Sequence, residues 1–309
     1  MKHTFKIIFI LLSLFLITQF LGLVVINSYS DRQITVNNQT SGEKINITQK
    51  QILPYGMQPP EQDEKASLIS IITSFVLAIT LILVFIKYRW RFVIKAWFFV
   101  VVVLALGITI NAFLKGRFEY SSIIALLISL PLAYLKTYRP NYILHNFTEV
   151  LIYPGIATIF VPIVNIWTII ILLIIISIYD MWAVWRSKLM QKMAKFQMDE
   201  LKIFSGLFIP YLTKNIRDKI ARMKKSKRKN TKIKVPIAIL GGGDIVFPII
   251  TAGVFLRSMG ILPALFIVFG AFGGLLFLLL RSEKKKFYPA MPFITVGMFL
   301  GMLLSLLFI

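Results

Sequence analysis

Long runs of apolar residues, separated by short polar breaks, fill most of the chain. A helix needs about 20 apolar residues to cross the hydrocarbon core of a bilayer, and nine runs approach that length. We predict spans at residues 7–26, 68–86, 96–114, 121–135, 147–160, 161–185, 236–256, 260–280 and 288–308. The fifth and sixth runs are almost continuous, and Pro154, Pro162 and Asn165 mark the expected break between them. The pattern predicts an all-α membrane protein with nine transmembrane helices.

Composition agrees with a membrane protein, since 57% of the residues are hydrophobic and a soluble domain has fewer. The first run follows Lys2 and Lys6, as the apolar core of a signal peptide would. It is longer than such a core usually is, however, and no small-residue cleavage pattern closes it. We therefore expect residues 7–26 to remain as the first helix.

The formal net charge of +22 is unevenly distributed, because 16 of the 35 Lys and Arg residues lie in the segment 186–234. A basic segment can bind nucleic acid, but no aromatic platform for base stacking accompanies this one. Positive residues next to membrane spans more often mark the cytoplasmic side. We expect a cytoplasmic loop that faces anionic lipid headgroups, and no nucleic-acid partner.

The shorter basic breaks fall on the same side as this loop when nine spans alternate. Lys6 precedes the first span, Lys136 lies between the fourth and fifth, and Arg281 lies between the eighth and ninth. The segment 27–66, on the opposite side, has acids that roughly balance its bases. The charge pattern predicts a multi-pass protein of the cell membrane with a cytoplasmic N-terminus and an outside C-terminus. It divides the chain into an N-terminal half, a basic loop and a C-terminal half, at 1–185, 186–234 and 235–309.

Two aspartates interrupt the apolar runs, Asp180 in the sixth predicted span and Asp244 in the seventh. A charged side chain at the centre of a bilayer costs about 2.5 to 3.5 kcal/mol on insertion scales, so each aspartate is a candidate functional residue. At about 1.5 Å per helical residue, Asp244 lies roughly 15 Å from Lys234 and Asp180 roughly 9 Å from Arg186. Carboxyls that meet at such depths share one proton. One can then deprotonate a water while the other polarises a carbonyl, which predicts peptide hydrolysis without a covalent intermediate.

Other routes to hydrolysis are excluded by the residues that are present. The chain has no cysteine, and its only histidines are His3 and His145. Thiolate nucleophiles, disulfides and structural zinc sites are therefore excluded. The paired histidines of an intramembrane metalloprotease cannot be formed, and no apolar span carries a Gly-x-Ser-x-Gly motif. We expect neither a metal ion nor a cofactor.

Three short motifs on the last spans resemble the signatures of the presenilin and signal peptide peptidase family of aspartyl intramembrane proteases. They are Tyr179-Asp180, Gly241-Gly242-Gly243-Asp244 and Pro289-Ala290-Met291-Pro292. The resemblance covers essentially the whole nine-span plan and implies an aspartic endopeptidase with Asp180 and Asp244 as its catalytic pair. It also implies an active-site lining of Tyr179, Gly241, Gly243, Pro289, Ala290 and Met291, where Met291 replaces the family's Leu. The chain is similar to a microbial member that cleaves transmembrane-segment peptides among membrane lipids without an obligatory protein partner; an oligomer is compatible with it.

The glycines and prolines in these motifs have a physical interpretation of their own. Each of the three glycines destabilises a helix by about 1 kcal/mol, but the absence of side chains allows a substrate backbone to approach Asp244. The alternative explanation for the glycines is close packing between helices. A span that opens with Pro289 and Pro292 leaves backbone groups free, where an extended substrate could pair as a strand. A literal Pro263-Ala264-Leu265 also occurs, towards the outer end of the eighth span. We interpret Pro263 as an ordinary helix-start proline.

A proton-coupled transporter or channel that uses the paired aspartates is the alternative function. Paired acids beside spans broken by glycine are also found in such carriers. Two observations count against it: no inverted repeat relates the first spans to the last, and the two acids lie on adjacent spans. The sequence therefore favours the protease.

The remaining intramembrane polar residues have structural interpretations. Glu149 is shallow enough to reach the interface, or to bond His145 one helical turn earlier. Asn111 and Asn165 are expected to link helices or to lie at span ends. The segment 203–212 is too apolar for free solvent, so we expect it to lie on the bilayer surface or to cover the aspartates as a gate.

Overall fold

The computed structural model describes most of the chain, with gaps. The described residues are 5–30, 32–37, 44–49, 52–57, 90–139, 141–186, 205–211, 237–283 and 288–308, with separate short pieces between 69 and 88. The second predicted span, 68–86, and the basic loop, 186–234, lie largely outside these residues.

Eight long helices form the described part of the protein. They are α1 (Phe5–Ser28), α2 (Arg91–Leu114), α3 (Ser121–Tyr138), α4 (Tyr142–Phe160), α5 (Ile166–Trp185), α6 (Gly243–Met259), α7 (Ile261–Arg281) and α8 (Met291–Ser305). Six of them, α1 to α5 and α7, are long and apolar enough to cross a membrane. The prediction of an all-α membrane protein is confirmed for the described residues.

Two small antiparallel sheets accompany the helices and were not predicted. Strands β1 (Arg32–Asn37) and β2 (Lys44–Gln49) pair with each other. Strands β3 (Gly206–Pro210) and β4 (Ile237–Gly241) form the second sheet, in a register that places Gly206 opposite Gly241.

The predicted break between the fifth and sixth spans is confirmed, and its physical cause is visible. Pro162 lies in a 3-10 turn between α4 and α5, and the Asn165 side chain accepts a 2.7 Å hydrogen bond from Thr168 N. Asn165 is thus the N-cap of α5, since its oxygen satisfies a backbone N–H that has no partner inside the helix. Pro154 does not mark the break between the two spans, because it lies inside α4. Asn111 links two helices as expected, because its Oδ1 accepts from the Ser122 hydroxyl of α3 at 3.5 Å; its Nδ2 also donates at 2.8 Å to the hydroxyl of Tyr29, the residue that follows α1.

The prediction of a helix from residue 236 is wrong. Residues Ile237–Gly241 form β4, and the helix begins only at Gly243. Side chains alternate along β4, with Ala238 and Leu240 buried while Ile237 and Ile239 are 44% and 45% exposed. The estimate of the depth of Asp244 assumed a helical rise from Lys234 and no longer applies. The segment 203–212, expected either to lie on the bilayer surface or to cover the aspartates as a gate, contributes the partner strand β3.

Helix α6 lies at the centre of the bundle, against α1, α4, α5 and α7. Its neighbours α7 and α8 pack antiparallel through glycines, with Gly270 against Gly297 and Gly301 against Phe266. A Cβ on Gly270 or Gly297 would collide with the backbone of the other helix. Glycine at both positions therefore lets the two backbones touch, as in the small-residue interfaces of membrane helices.

Candidate active site

Asp180 lies near the end of α5 and is held by the beginning of α8. Its Oδ2 accepts a hydrogen bond of 3.1 Å from the backbone N–H of Met291, and the N–H of Ala290 is near enough to stabilise negative charge on the carboxyl. The first N–H groups of a helix have no partner within it, and they form the positive end of its dipole. Asp180 supplies the missing acceptor, although it belongs to another helix.

Asp244 is the second residue of α6 and lies close to Asp180. Both aspartates are 8% exposed, and their carboxyls are near enough to interact electrostatically. The backbone N–H of Gly241, the last residue of β4, lies close enough to the Asp244 carboxyl to stabilise its negative charge. Each carboxyl is thus positioned by backbone groups from one of the motifs singled out in the sequence.

The three glycines before Asp244 have different surroundings. A Cβ on Gly241 would lie 3.1 Å from Oδ2 of Asp244, so a side chain there would press on the carboxyl. A Cβ on Gly242 would lie 2.9 Å from the Ser205 hydroxyl and 3.1 Å from the Tyr153 ring. Gly243 is exposed, and its nearest such contact is the Phe247 ring at 3.8 Å. Gly241 and Gly242 therefore provide room for neighbouring side chains, while Gly243 leaves its backbone open.

The element Pro289-Ala290-Met291 contacts Asp180, whereas the second candidate, Pro263-Ala264-Leu265, lies elsewhere. Pro289 and Met291 are buried, and the N–H of Met291 faces Asp180. Pro263 is the third residue of α7. Because α7 runs antiparallel to α8, Pro263 lies at the end of α7 that is distant from the beginning of α8. The interpretation of Pro263 as a helix-start proline agrees with this position.

Tyr179, one of the predicted lining residues, does not bury its side chain in the site. Its side chain is 47% exposed, and its ring packs 6.2 Å from the ring of Trp182 on the same helix. The residue therefore presents its ring to the outside of the described bundle.

Two buried hydrogen bonds that support the site were not predicted. Ser177 donates to Thr295 at 2.8 Å, which joins α5 to α8 one turn before Asp180. Gln19 on α1 donates to the carbonyl of Ile245 at 3.1 Å, next to Asp244. Gln19 is a polar residue within a long apolar run, and its position there could have identified it from the sequence as a candidate residue.

A second group of buried ionisable residues lies between α3 and α4. Lys136 Nζ is 2.5 Å from Oε1 of Glu149, and both side chains are buried. The expectation that Lys136 lies in a polar break between two spans is wrong, because it belongs to the last turn of α3, and the view that Glu149 reaches the interface is wrong as well. Each residue turns inward because the other neutralises it. The expected contact of Glu149 with His145 is confirmed at 3.5 Å.

The arrangement is suited to acid–base chemistry at a pair of carboxyls. Among the described residues, no group of three or more His, Asp or Glu side chains is placed to hold a metal ion. Two adjacent buried carboxyls can divide the roles of acid and base between them.

Comparisons with known proteins agree with this chemistry. The family described as "Signal-peptide peptidase, presenilin aspartyl protease" matches residues 45–309, whereas no curated protein matches the chain. A presenilin family intramembrane aspartate protease solved in space group C222 is similar, with 17% identity, a TM-score of 0.61 and coverage of 98% of this chain and 99% of that chain. The P2 form gives 18% identity, a TM-score of 0.59 and 97% coverage of both chains.

At such identities the two structures establish the fold, and the family match establishes the relationship. The resemblance predicted from three short motifs is therefore confirmed, and the transporter alternative is not favoured. The chain belongs to the signal-peptide peptidase and presenilin family of aspartyl proteases, and it is a multi-pass membrane enzyme, an aspartic endopeptidase that acts on transmembrane substrates.

Proposed function

We propose that Asp180 and Asp244 are the catalytic dyad of this protease and that they hydrolyse a peptide bond within a transmembrane segment. The observation that carries the proposal is the proximity of two buried carboxyls that interact electrostatically. Asp180 accepts a hydrogen bond from the backbone N–H of Met291, and the backbone N–H of Gly241 lies close to the Asp244 carboxyl. Such fixed donors orient a catalytic carboxyl without reorganisation during the reaction.

The two aspartates have separate roles in the proposed mechanism. The N–H groups of Ala290 and Met291 stabilise negative charge on Asp180, so we assign Asp180 as the base that takes a proton from water. Asp244 is then the acid that donates to the scissile carbonyl. Asp180 then gives its proton to the amide nitrogen while Asp244 takes one from a hydroxyl of the tetrahedral diol. The C–N bond breaks, an amine and a carboxylic acid form, and the dyad returns to its singly protonated form.

Strand β4 offers the edge on which an extended substrate can lie. In the described part of the chain β4 pairs with β3 alone, and Asn146 on α4 occupies the other edge of β3 by bonding both backbone groups of Phe208. Strand β4 leads directly to Asp244, and an unpaired strand edge accepts a peptide in extended form. Among the backbone groups at the opening of α8, which the sequence suggested as free partners for the substrate, the N–H of Met291 donates to Asp180 instead.

The remaining features of the proposal concern the chain as a whole. We infer nine spans in the cell membrane, with the N-terminus cytoplasmic and the C-terminus outside. The two halves, 1–185 and 235–309, each supply one aspartate, and the basic loop 186–234 connects them. The proposed lining consists of Tyr179, Gly241, Gly243, Pro289, Ala290 and Met291. The enzyme needs no obligatory protein partner, and it is compatible with an oligomer.

A cleavage assay tests the function directly. Purified protein in detergent is incubated with a single-span peptide, and the fragments are identified by mass spectrometry. We expect cleavage within the apolar segment by the wild type and none by the Asp244→Asn variant. Proton flux into reconstituted vesicles, without any peptide fragments, would favour the transporter instead.

A further inference from the structure

Three buried ionisable side chains between α3 and α4 form a cluster that the dyad mechanism does not use. Lys136 Nζ is 2.5 Å from Oε1 of Glu149 and 3.3 Å from Nδ1 of His145. The exposed fractions of Lys136, His145 and Glu149 are 4%, 5% and 1%. Replacing a buried ion pair by apolar residues is often neutral or stabilising, so the cluster is weak evidence for a role in stability. Its contacts indicate another role.

The His145 side chain connects this cluster to strand β3. Its Nε2 lies 2.9 Å from the carbonyl oxygen of Gly206, and its ring packs 4.7 Å from the ring of Phe208. Because a carbonyl only accepts hydrogen bonds, Nε2 is the donor, and Nδ1 is left to accept from Lys136. Lys136 and Glu149 therefore fix both the orientation and the protonated nitrogen of the imidazole.

The neighbouring Asn146 holds the same strand at a second point. Its side chain donates to the carbonyl of Phe208 at 2.8 Å and accepts from the N–H of Phe208 at 3.0 Å. Gly206 and Phe208 are two positions apart, so their backbone groups point to the same edge of β3, away from β4. Helix α4 thus occupies this edge as a third strand would.

The strand that α4 holds leads in two steps to Asp244. Gly206 lies opposite Gly241 in the β3–β4 register, and Gly241 adjoins the Asp244 carboxyl, because a Cβ on Gly241 would lie 3.1 Å from Oδ2 of Asp244. A second connection runs through Tyr153, which follows Glu149 by one turn of α4: a Cβ on Gly242 would lie 3.1 Å from the Tyr153 hydroxyl and 2.9 Å from the Ser205 hydroxyl. Displacement of His145 would therefore be transmitted to the backbone group that orients Asp244.

We propose that the cluster of Lys136, His145 and Glu149 is a positioning site for the protease reaction. His145 is the positioning residue: it fixes β3, and through β3 it sets where the Gly241 N–H meets Asp244. The inference rests on the proposed catalytic role of Asp244. A misplacement of about 1 Å at the reacting groups can cost about 10²-fold in rate, so the effect falls on kcat. Substrate binding along β4 depends on many more contacts, and KM changes little.

Two substitutions at His145 and one control test the proposal. His145→Leu removes the donor to Gly206, whereas His145→Gln retains an amide N–H at a similar reach. The control, Thr109→Val, removes a 2.7 Å hydrogen bond from α2 to the Leu151 carbonyl of the same helix α4. For each variant kcat and KM are measured with the single-span peptide. The affinity for a hydroxyl-containing mimic of the tetrahedral intermediate is measured as well, since tight binding of the mimic requires the correct dyad geometry.

The expected results separate positioning from structural support. His145→Leu should lower kcat by roughly 10- to 100-fold and should weaken the binding of the mimic by a similar factor, while KM stays close to that of the wild type. His145→Gln should recover most of kcat, and Thr109→Val should leave it unchanged. If His145→Leu fails to fold, Asn146→Leu keeps the cluster, releases Phe208 and should show the same selective loss of kcat.

Two outcomes would overturn the inference: full kcat in folded His145→Leu or Asn146→Leu protein, or an equal loss in Thr109→Val. Asp244→Asn is measured in parallel to distinguish the failure of the two proposals. Cleavage by the Asp244→Asn variant would contradict the proposed function itself. An inactive Asp244→Asn together with a fully active His145→Leu would remove the positioning role alone.

Discussion

The backbone N–H of Met291 donates a hydrogen bond to Oδ2 of Asp180 across 111 positions of the chain. The bond joins the candidate base to the first turn of α8, and the buried bond between Ser177 and Thr295 joins the same two helices one turn away. The two hydrogen bonds hold Asp180 and the beginning of α8 together. The aspartate therefore completes the hydrogen bonding of a helix end in addition to its proposed chemistry.

Substitution of either aspartate by asparagine should abolish proteolysis while the protein stays folded. An amide cannot transfer the proton that the dyad shares, and loss of general acid–base catalysis costs about 10²- to 10⁴-fold in rate. Asp180→Asn retains an oxygen that can accept from Met291 N–H, so its thermal unfolding should match that of the wild type. Activity and unfolding in detergent are the measurements, and normal cleavage by either variant would exclude that residue from the dyad.

Asp180→Ala serves as the structural counterpart of this experiment. It removes the acceptor of the Met291 N–H, and a buried donor left unpaired costs about 1 to 3 kcal/mol. We expect a clear fall in thermal stability that Asp180→Asn does not show. Equal unfolding temperatures for the two variants would mean that the bond to Met291 contributes nothing to stability.

The pH dependence of cleavage should be bell-shaped. At low pH both carboxyls are protonated and the base is lost, while at high pH both are ionised and the acid is lost. The two limbs belong to Asp180 and Asp244 jointly, because interacting carboxyls titrate as a pair. The profile is measured on a substrate without titratable groups, and a flat profile through the acidic and neutral range would contradict the mechanism.

Pro289→Ala and Pro263→Ala should differ strongly in activity. Pro289 directly precedes the Ala290 and Met291 groups that hold Asp180, so added backbone freedom there should lower kcat by up to about 10²-fold. Pro263 lies at the other end of α7, and its replacement should be nearly silent. The cleavage rates of the two variants are compared at equal fractions of folded protein. A larger loss of activity in Pro263→Ala than in Pro289→Ala would assign the functional motif to Pro263-Ala264-Leu265.

The glycine contact between α7 and α8 makes a separate prediction for stability. Gly297→Ala places a Cβ against the backbone of Gly270, and overpacking of this kind costs about 1 to 3 kcal/mol. Gly273→Ala is the matched control, because no atom lies within 4 Å of its added Cβ. Alanine there should stabilise the helix by roughly 0.5 to 1 kcal/mol. Thermal unfolding of both variants decides, and equal stabilities would show that the two helices are not in backbone contact.

The helical part of the fold was predictable because long apolar runs carry an unambiguous signal of length. Polar residues then set the ends of the helices: Asn165 caps α5, and Pro162 separates α5 from α4. The motifs also identified the two aspartates. What the sequence could not provide was their spatial relation, since nothing in it shows the Gly241 and Met291 N–H groups turned towards the carboxyls.

Strands β3 and β4 were missed for a physical reason. A short apolar run such as Ile237–Gly241 fits a strand and a buried helix equally well, and its length alone decides between them. Continuity with α6 made the helix look long enough. Lys136 was misassigned for a related reason, because a lysine at the end of a span is normally solvated and only a partner such as Glu149 brings it inside.

The pairing of β3 with β4 fixes Pro210 and Ile237 opposite one another. The chain between them therefore begins and ends at adjacent points, whatever its length. Adding residues between two points of the chain that already adjoin raises the loop-closure cost by only about 0.6 kcal/mol for each doubling, and the added residues need not displace strand β4. This segment is consequently a suitable place for a fused reporter domain, which would leave Asp244 where β4 holds it and make the intact peptidase visible in cells.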